Sequence, residues 1–321
     1  MLQRDTRKPL LNRALMGAYP PASTFKTAQG LVFLQEGIIQ ENTPVFPCSH
    51  GFNYGSLHVG CHGHASPLPL IPAIATSCNS YFCWGLFRML GDRKYGSPQN
   101  ALTVWKDHMV SQGFGYRLDV DLPGEGRGFI PNAGVYDKAY RGRWNGLTII
   151  SISIGQGEIL ATPLQIANLG ATIANRGHFT PPHIVKEIQD GELDSIYRTP
   201  RVPTIERQYY EEIVKGMRAA VTGGTCRIAG SILPGVEVCG KTGTAQNRGK
   251  DHSAFMGFAP MNNPKIAIAV YVENGGFGAT YGVPIGALMM DQYLHGKLSP
   301  ENEKLAEDFS NRIIYYGDEE R

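Results

Sequence analysis

The stretch Glu237-Val238-Cys239-Gly240-Lys241-Thr242-Gly243-Thr244-Ala245-Gln246-Asn247 is read here as a strand, and two more strands follow at 253–259 and 265–273. In the last, Ile266, Ile268, Val270 and Val272 alternate with their neighbours, the period expected of a pleated ribbon. Helical patterns flank this set. Residues 207–221 form a helix ended by Gly223-Gly224, and 284–294 form a closing helix. Upstream, Thr162-Pro163-Leu164-Gln165 is a capping box with proline at the first helical position, so a helix runs to about Asn175, before Gly177. Strands flanked by helices, with further helices in the middle of the chain, predict an α/β or α+β domain built on an antiparallel sheet.

Working outward, the pattern becomes less regular. Pro20 and Pro21 set an extended approach to a helix over 23–36, stopped by Gly37. Residues 40–69 are rich in Gly, Pro and His and read as a long ordered loop. Residues 72–90 are apolar and read as a helix. Residues 91–146 are mostly polar and Gly-rich, with one helix near 100–112. With 39 glycines and 21 prolines among 321 residues, the chain turns too often for a helical bundle.

The charge balance excludes some functions. A formal net charge of +2, with no concentrated basic face, gives no footing for nucleic acid. A 42% hydrophobic and 18% charged composition fits a folded domain. The first residues are polar, so no signal peptide opens the chain. From Asn42 to Phe87 there is no Asp, Glu, Lys or Arg. Residues 70–87 are long enough to suggest a membrane span, but Pro72, Ser77, Asn79 and Ser80 interrupt them, and a buried helix fits better.

Three short motifs carry chemistry. In Ser23-Thr24-Phe25-Lys26 the serine and lysine lie three apart, on one helical face. A serine hydroxyl needs a base to become a nucleophile, and a lysine can be that base when burial or a nearby cation lowers its pKa. Alone, this pattern reads better as an N-capping serine beside a solvated lysine. Ser77-Cys78-Asn79 places two polar side chains inside an apolar run, where they require partners. Lys241-Thr242-Gly243-Thr244 puts a cation, hydroxyls and a glycine on a strand. That makes a binding edge at which the glycine admits substrate backbone and the hydroxyls reach a carboxylate.

Ser-x-x-Lys, Ser-x-Asn and Lys-Thr-Gly, in that order, are the signature of penicillin-binding proteins and class A β-lactamases. The segments Pro9 to Ala14 and Tyr19 to Lys26, together with Gly155-Gln156-Gly157, Thr162 to Gln165 and Gly240 to Gln246, resemble the class B penicillin-binding proteins of cell elongation, the penicillin-binding protein 2 enzymes. The resemblance covers roughly residues 5 to 295. It implies the penicillin-binding/β-lactamase-like serine transferase fold, an antiparallel sheet flanked by helices with an all-helical lobe. It places a transpeptidase domain at 1–298 and leaves 299–321 as a polar C-terminal tail.

The resemblance also implies roles. Ser23 attacks the carbonyl of the penultimate D-Ala of a peptidoglycan stem peptide. Lys26 is the base for acylation, Ser77 relays a proton between Lys26, Lys241 and the leaving amine, and Asn79 holds the substrate amide. Lys241, Thr242 and Thr244 bind the terminal carboxylate of the peptide or of a β-lactam antibiotic. The backbone N–H groups of Ser23 and Thr244 form the oxyanion hole. No cofactor is required. Expected partners are stem peptides, β-lactams and elongation-complex proteins including a glycosyltransferase, at the periplasmic face of the bacterial inner membrane. The family's N-terminal membrane helix, its non-catalytic pedestal and the first strands of the catalytic sheet are expected to be missing from this chain.

Rival readings share the motifs. A β-lactamase needs a carboxylate to activate water near Ser23, and Glu125 and Glu158 are the residues to check. A D,D-carboxypeptidase uses water as acceptor. A non-catalytic β-lactam sensor needs only binding.

Six cysteines remain: Cys48, Cys61, Cys78, Cys83, Cys226 and Cys239. Three of them share a charge-poor segment with His50, His58, His62 and His64. Cys48, Cys61, His64 and Cys78 could form a Cys3His structural zinc site, with His62 as the rival of His64. Free or disulfide-bonded thiols are the alternative. Zinc-binding members of the resembled family favour the metal. Cys226 and Cys239 are expected to do no chemistry, and Trp84, Trp105 and Trp144 are expected to pack.

Overall fold

The computed structural model describes residues 4–5, 8–40, 43 and 46–314. A short α1 (Arg13–Met16) precedes a 3-10 turn at Ala22–Phe25, which runs into α2 (Lys26–Gln35). A hairpin of β1 (Gly51–Tyr54) and β2 (Leu57–Gly60) comes next, followed by α3 (Leu70–Ala75) and α4 (Asn79–Gly91). Then come α5 (Pro98–Ser111), α6 (Ala133–Tyr140), α7 (Pro163–Ala174), α8 (Arg207–Thr222) and α9 (Arg227–Ile232). The three strands β3 (Cys239–Ala245), β4 (His252–Ala259) and β5 (Ile266–Val272) close the sheet, and α10 (Gly282–His295) and α11 (Pro300–Ser310) complete the chain.

The sheet is antiparallel with β4 in the middle, so consecutive strands pair as hairpin neighbours. Alternation along β4 divides the core between its two faces. Phe255 points toward Val283 and Ala287 of α10, while Met256 and Phe258 join the larger core that holds α2, α4, α7 and α8. Phe255 fits because Gly240 and Gly286 leave it room. A Cβ on either would approach its ring to 2.6 or 2.5 Å.

Helix α2 runs through the large core, and every residue from Lys26 to Leu34 is buried. The helix is buried on all sides, its polar Lys26, Thr27 and Gln29 included, and it carries Lys26, one turn after Ser23, into the centre of the molecule. The Thr162–Gln165 capping box is present in both directions. Ser97 caps α5 with Pro98 behind it, the same start signal.

Five expectations need correction. The 23–36 helix opens with a 3-10 turn, because Ala22 has φ +50° and Lys26 begins the α-helix proper. The 72–90 helix is two helices, broken where Ser77 takes φ +58°. The 40–69 loop contains the β1–β2 hairpin, whose polar and glycine-rich strands carry little β signal. The 91–146 region holds α6 as well as α5. The segment from 299 is also more than a polar tail. α11 is capped by Ser299, packs Leu305, Ala306 and Phe309 against the α10 core, and buries Asn302. The Asn302 amide donates to Ile232 O at 2.9 Å and Asp291 Oδ2 at 2.7 Å. Residues 315–321 of the expected tail lie outside the described residues. Among the described residues no helix is long and apolar enough to cross a membrane.

Candidate active site

The nucleophile turn is held from two sides. Ala22 N–H donates to Gly155 O at 2.9 Å, and Gly155 itself has φ +71°. A Cβ there would sit 2.2 Å from Ala22 O, so only glycine lets these backbones meet. Thr24 Oγ1 donates to Pro21 O at 2.6 Å, closing the turn on Ser23. The Ser23 side chain is half-buried and lines a cavity of about 410 Å³.

Lys26 is fully buried beneath that cavity. Its ammonium donates to Ser77 O at 2.7 Å, Ser77 Oγ at 3.2 Å and Asn79 Oδ1 at 2.5 Å. The break between α3 and α4 makes this possible. The left-handed Ser77 turns both its carbonyl and its hydroxyl toward Lys26, at a conformational cost that a serine rarely bears. Desolvation pushes the Lys26 pKa down to about 8. Lys241 is buried as well, and desolvation, then the Lys26 charge, push it down to about 7. Two lysines that feel one another's charge therefore stand near their titration range, and one of them is bonded to Ser77, which is the condition for proton exchange at neutral pH.

Ser23, Ser77, Asn79, Thr242 and Thr244 all line the one cavity. Thr242 Oγ1 donates to Thr225 Oγ1 at 2.9 Å, and Thr244 Oγ1 accepts Gly278 N–H at 3.3 Å. Gln156 Nε2 donates to Thr244 O at 3.3 Å, linking the Gly155-Gln156-Gly157 turn to β3. Among the described residues no hydrogen bond joins Ser23 Oγ to Lys26. Lys241 Nζ donates to its neighbour Thr242 O at 3.1 Å.

Gly243 departs from its expected role. Its Cβ position points at Ala254 Cβ, 3.1 Å away, and at Pro21 O and Thr24 Cγ2, both at 3.3 Å. The glycine lets β3 pack against the serine turn, and it is absent from the cavity lining. Glu125 and Glu158 are both engaged elsewhere. Glu125 accepts the backbone N–H groups of Leu118, Asp119 and Val120, and Glu158 accepts Tyr136 OH at 2.8 Å. Neither lines the Ser23 cavity. Thr225, Gln246, Asp251 and Phe277 do line it. Sequence reasoning missed these four because they belong to connections whose return to the site depends on the tertiary fold.

The four candidate Cys/His ligands converge. One ligand atom each from Cys48, Cys61, His64 and Cys78 lies within 4.8 Å of the others. Cys61 Sγ and His64 Nε2 are 3.2 Å apart, and His64 Nδ1 meets Ala65 O at 2.7 Å, which leaves Nε2 for the cluster. All six cysteines are free, so no disulfide orders this segment. His62 turns the other way and lines the Ser23 cavity. The cluster abuts the site. Asn79 N–H donates to Cys61 Sγ at 3.2 Å, and Asn79 Nδ2 to Gly60 O at 2.7 Å. Cys61 is pushed down to about 4, first by its hydrogen bond with Cys78, while Cys78 is held well above the usual thiol range. Cys226 and Cys239 are buried, and burial raises both thiols. Trp105 and Trp144 are buried in the core, and Trp84 packs on Phe52.

Comparison with known proteins agrees with this geometry. Residues 2–291 match the penicillin binding protein transpeptidase domain. The peptidoglycan D,D-transpeptidase MrdA of Acinetobacter baumannii is 33% identical over 303 residues, covering 87% of this chain and 43% of that protein. The chain thus spans about half the length of the curated relatives it matches. The crystal structure of Pseudomonas aeruginosa PBP2 in complex with WCK 5153 superposes with a TM-score of 0.78 at 33% identity, covering 94% of this chain and 65% of that one. PBP2 of Helicobacter pylori, solved in complex with MreC, gives a TM-score of 0.75 at 27% identity, covering 92% and 53%. With Ser23, Ser77, Asn79 and two threonines of β3 lining one cavity, and Lys26 hydrogen-bonded to Ser77 and Asn79, the chain belongs to the penicillin-binding protein transpeptidase domain family.

Proposed function

We propose that this chain is the catalytic part of a peptidoglycan D,D-transpeptidase of the elongation type, acylated and inhibited by β-lactams. The observation that carries the reading is the buried Lys26, one turn from Ser23 and hydrogen-bonded to both Ser77 and Asn79. Ser23 Oγ attacks the carbonyl of the penultimate D-Ala and gives its proton to the neutral Lys26 amine. The bond to the terminal D-Ala breaks, and the proton passes through Ser77 to the departing nitrogen. An amine of a second stem peptide then attacks the ester, its proton returns to Ser23, and a new amide cross-link remains. Asn79 orients the donor amide, and Lys241, Thr242 and Thr244 bind the terminal carboxylate. The N–H groups of Ser23 and Thr244 stabilise the oxyanion. The engagement of Glu125 and Glu158 in other hydrogen bonds favours transfer over a β-lactamase-type hydrolysis.

The Cys48, Cys61, His64 and Cys78 cluster fits a structural zinc. Thiolates at about 2.3 Å and an imidazole at about 2.0 Å from a tetrahedral ion stand roughly 3.5–3.8 Å from one another, compatible with the observed spread. Backbone N–H groups of Asn79 and Tyr81 support two of the sulfurs. Such an ion closes residues 48–78 beside Ser77 and supplies order without chemistry. The MreC complex of the Helicobacter pylori relative supports elongation-complex partners; a glycosyltransferase among them, and a place at the periplasmic face of the inner membrane, follow from the family resemblance.

The test is labelling with a fluorescent penicillin. One stable adduct on Ser23 supports the transpeptidase. Rapid loss of the label indicates a hydrolase or carboxypeptidase, and no label indicates a non-catalytic relative.

A further inference from the structure

The Ser23 cavity has an acidic lining residue, and a neighbouring cavity that shares part of its wall has a basic one. Thr225, Thr242 and Thr244 belong both to this cavity and to a second one of about 240 Å³ that is also lined by Arg227. Gln246 and Asp251 line the Ser23 cavity and not the second one. Asp251 is the one acidic residue in the lining of either cavity, and among the described residues no hydrogen bond or ion pair uses its carboxylate. Its backbone is fixed. Ala245 pairs with His252 at the mouth of the β3–β4 hairpin, Asp251 O accepts Gly276 N–H at 2.7 Å, and Asn274 N–H donates to His252 Nδ1 at 3.0 Å. The chain thus holds a half-buried carboxylate over the cleft with no hydrogen-bond or ion-pair partner among the described residues.

The direction of the donor peptide follows from the proposed reaction, on which this inference rests. Its terminal carboxylate lies at the Arg227 and Thr242 end and its scissile carbonyl lies at Ser23. The rest of the peptide therefore leaves along β3 toward Gln246 and Asp251. Thr242 and Gln246 are four strand positions apart, about 13 Å at roughly 3.3 Å per residue. The last and third-last Cα atoms of an extended donor are about 7 Å apart, and a long aminoalkyl side chain spans the remainder. The acceptor replaces the departed D-Ala and so comes to the opposite end. We propose that Asp251 is a specificity-determining residue that receives the side-chain ammonium of the donor residue third from the peptide's C-terminus.

The test compares two peptides, Nα-acetyl-L-lysyl-D-alanyl-D-alanine and its Nε-acetylated counterpart. Each is scored by the concentration that halves fluorescent-penicillin labelling of Ser23. The wild type should favour the free amine by about fivefold, the upper range for a partly exposed ion pair. Asp251→Asn should bring the ratio to one, Asp251→Lys should reverse it, and Asp251→Glu should restore part of it. A labelled wild type with no preference, or an Asp251→Asn protein that keeps the wild-type ratio, overturns the subsite and leaves the transpeptidase reading standing. A wild type that penicillin does not label overturns both. The wild-type peptide comparison needs no variant to fold.

Discussion

Two neighbouring regions of this molecule reach order by different routes. The serine turn and α2 are held by packing: nine consecutive helix residues are buried, and glycine allows the Ala22–Gly155 approach. The segment from Cys48 to Cys78 has no charged residue, a four-residue hairpin on each side of its turn, and a knot of three sulfurs and an imidazole. The first is rigid because it lies inside the core. The second needs a local tie, because from residue 48 to 67 Phe52 is the one buried apolar side chain, and so long a connection does not hold itself. They meet at Ser77 and Asn79, which face Lys26 on one side and adjoin the Cys61–Cys78 cluster on the other. The packed region thus supplies the nucleophile, and the tied region presents the groups that tune its base.

The sharpest way to break this comparison is at the nucleophile. Ser23→Ala should abolish covalent penicillin labelling completely, while the melting temperature stays within a few degrees of wild type. An adduct that survives, or that maps to another peptide, removes Ser23 from its place.

Next in size is the base. Lys26→Arg keeps a charge but cannot surrender its proton in the accessible pH range. Acylation should fall by about 10²- to 10⁴-fold, with non-covalent ligand binding retained by equilibrium measurement. Near-normal acylation would exclude Lys26. The same lysine sets the pH profile. The base must be neutral, and its pKa lies near 8, so the acylation rate should climb about tenfold per pH unit below 7 and level off above about 8. A flat profile from pH 6 to 9 contradicts the assignment.

The smaller effect belongs to the tied region. Elemental analysis should find one zinc per folded chain. Chelation, or Cys61→Ser, should lower the melting temperature by several degrees and slow acylation by roughly tenfold, while Ser23 stays labelable. The loss of a ligand propagates through the Asn79 N–H···Cys61 contact and does not remove a reacting group. If metal-free protein acylates at the full rate, the two regions are independent, and the tie serves stability alone.

Much of the site was legible before any fold was known, because its chemistry is written in short local spacings. Ser23 to Lys26 is one helical turn, and Lys241 to Thr244 is half of one strand. The three strands of the sheet were legible too, because Ile266 to Val272 alternate cleanly. The β1–β2 hairpin was not, since His58, Asn53 and three glycines give neither period. The break at Ser77 was visible as misplaced polarity, though its left-handed geometry was not. Helix α11 did carry a signal, the Ser299-Pro300 cap with Leu305, Ala306 and Phe309 on one face, hidden in an acidic composition. Asp251 was invisible, because its significance depends on which end of a cavity it faces.

The two submerged lysines have a thermodynamic consequence beyond catalysis. Both titrate well below the 10.5 of a solvated lysine, so the unfolded chain binds protons more tightly than the native one. The penalty is fully present below about pH 7 and is relieved as the pH rises from there toward 10.5. For these two groups alkaline solution is stabilising, and the native state is held most weakly at the proton activity where a cell uses it. The ability to exchange protons at neutral pH and the ability to resist heat at neutral pH therefore draw on the same two side chains, in opposite directions.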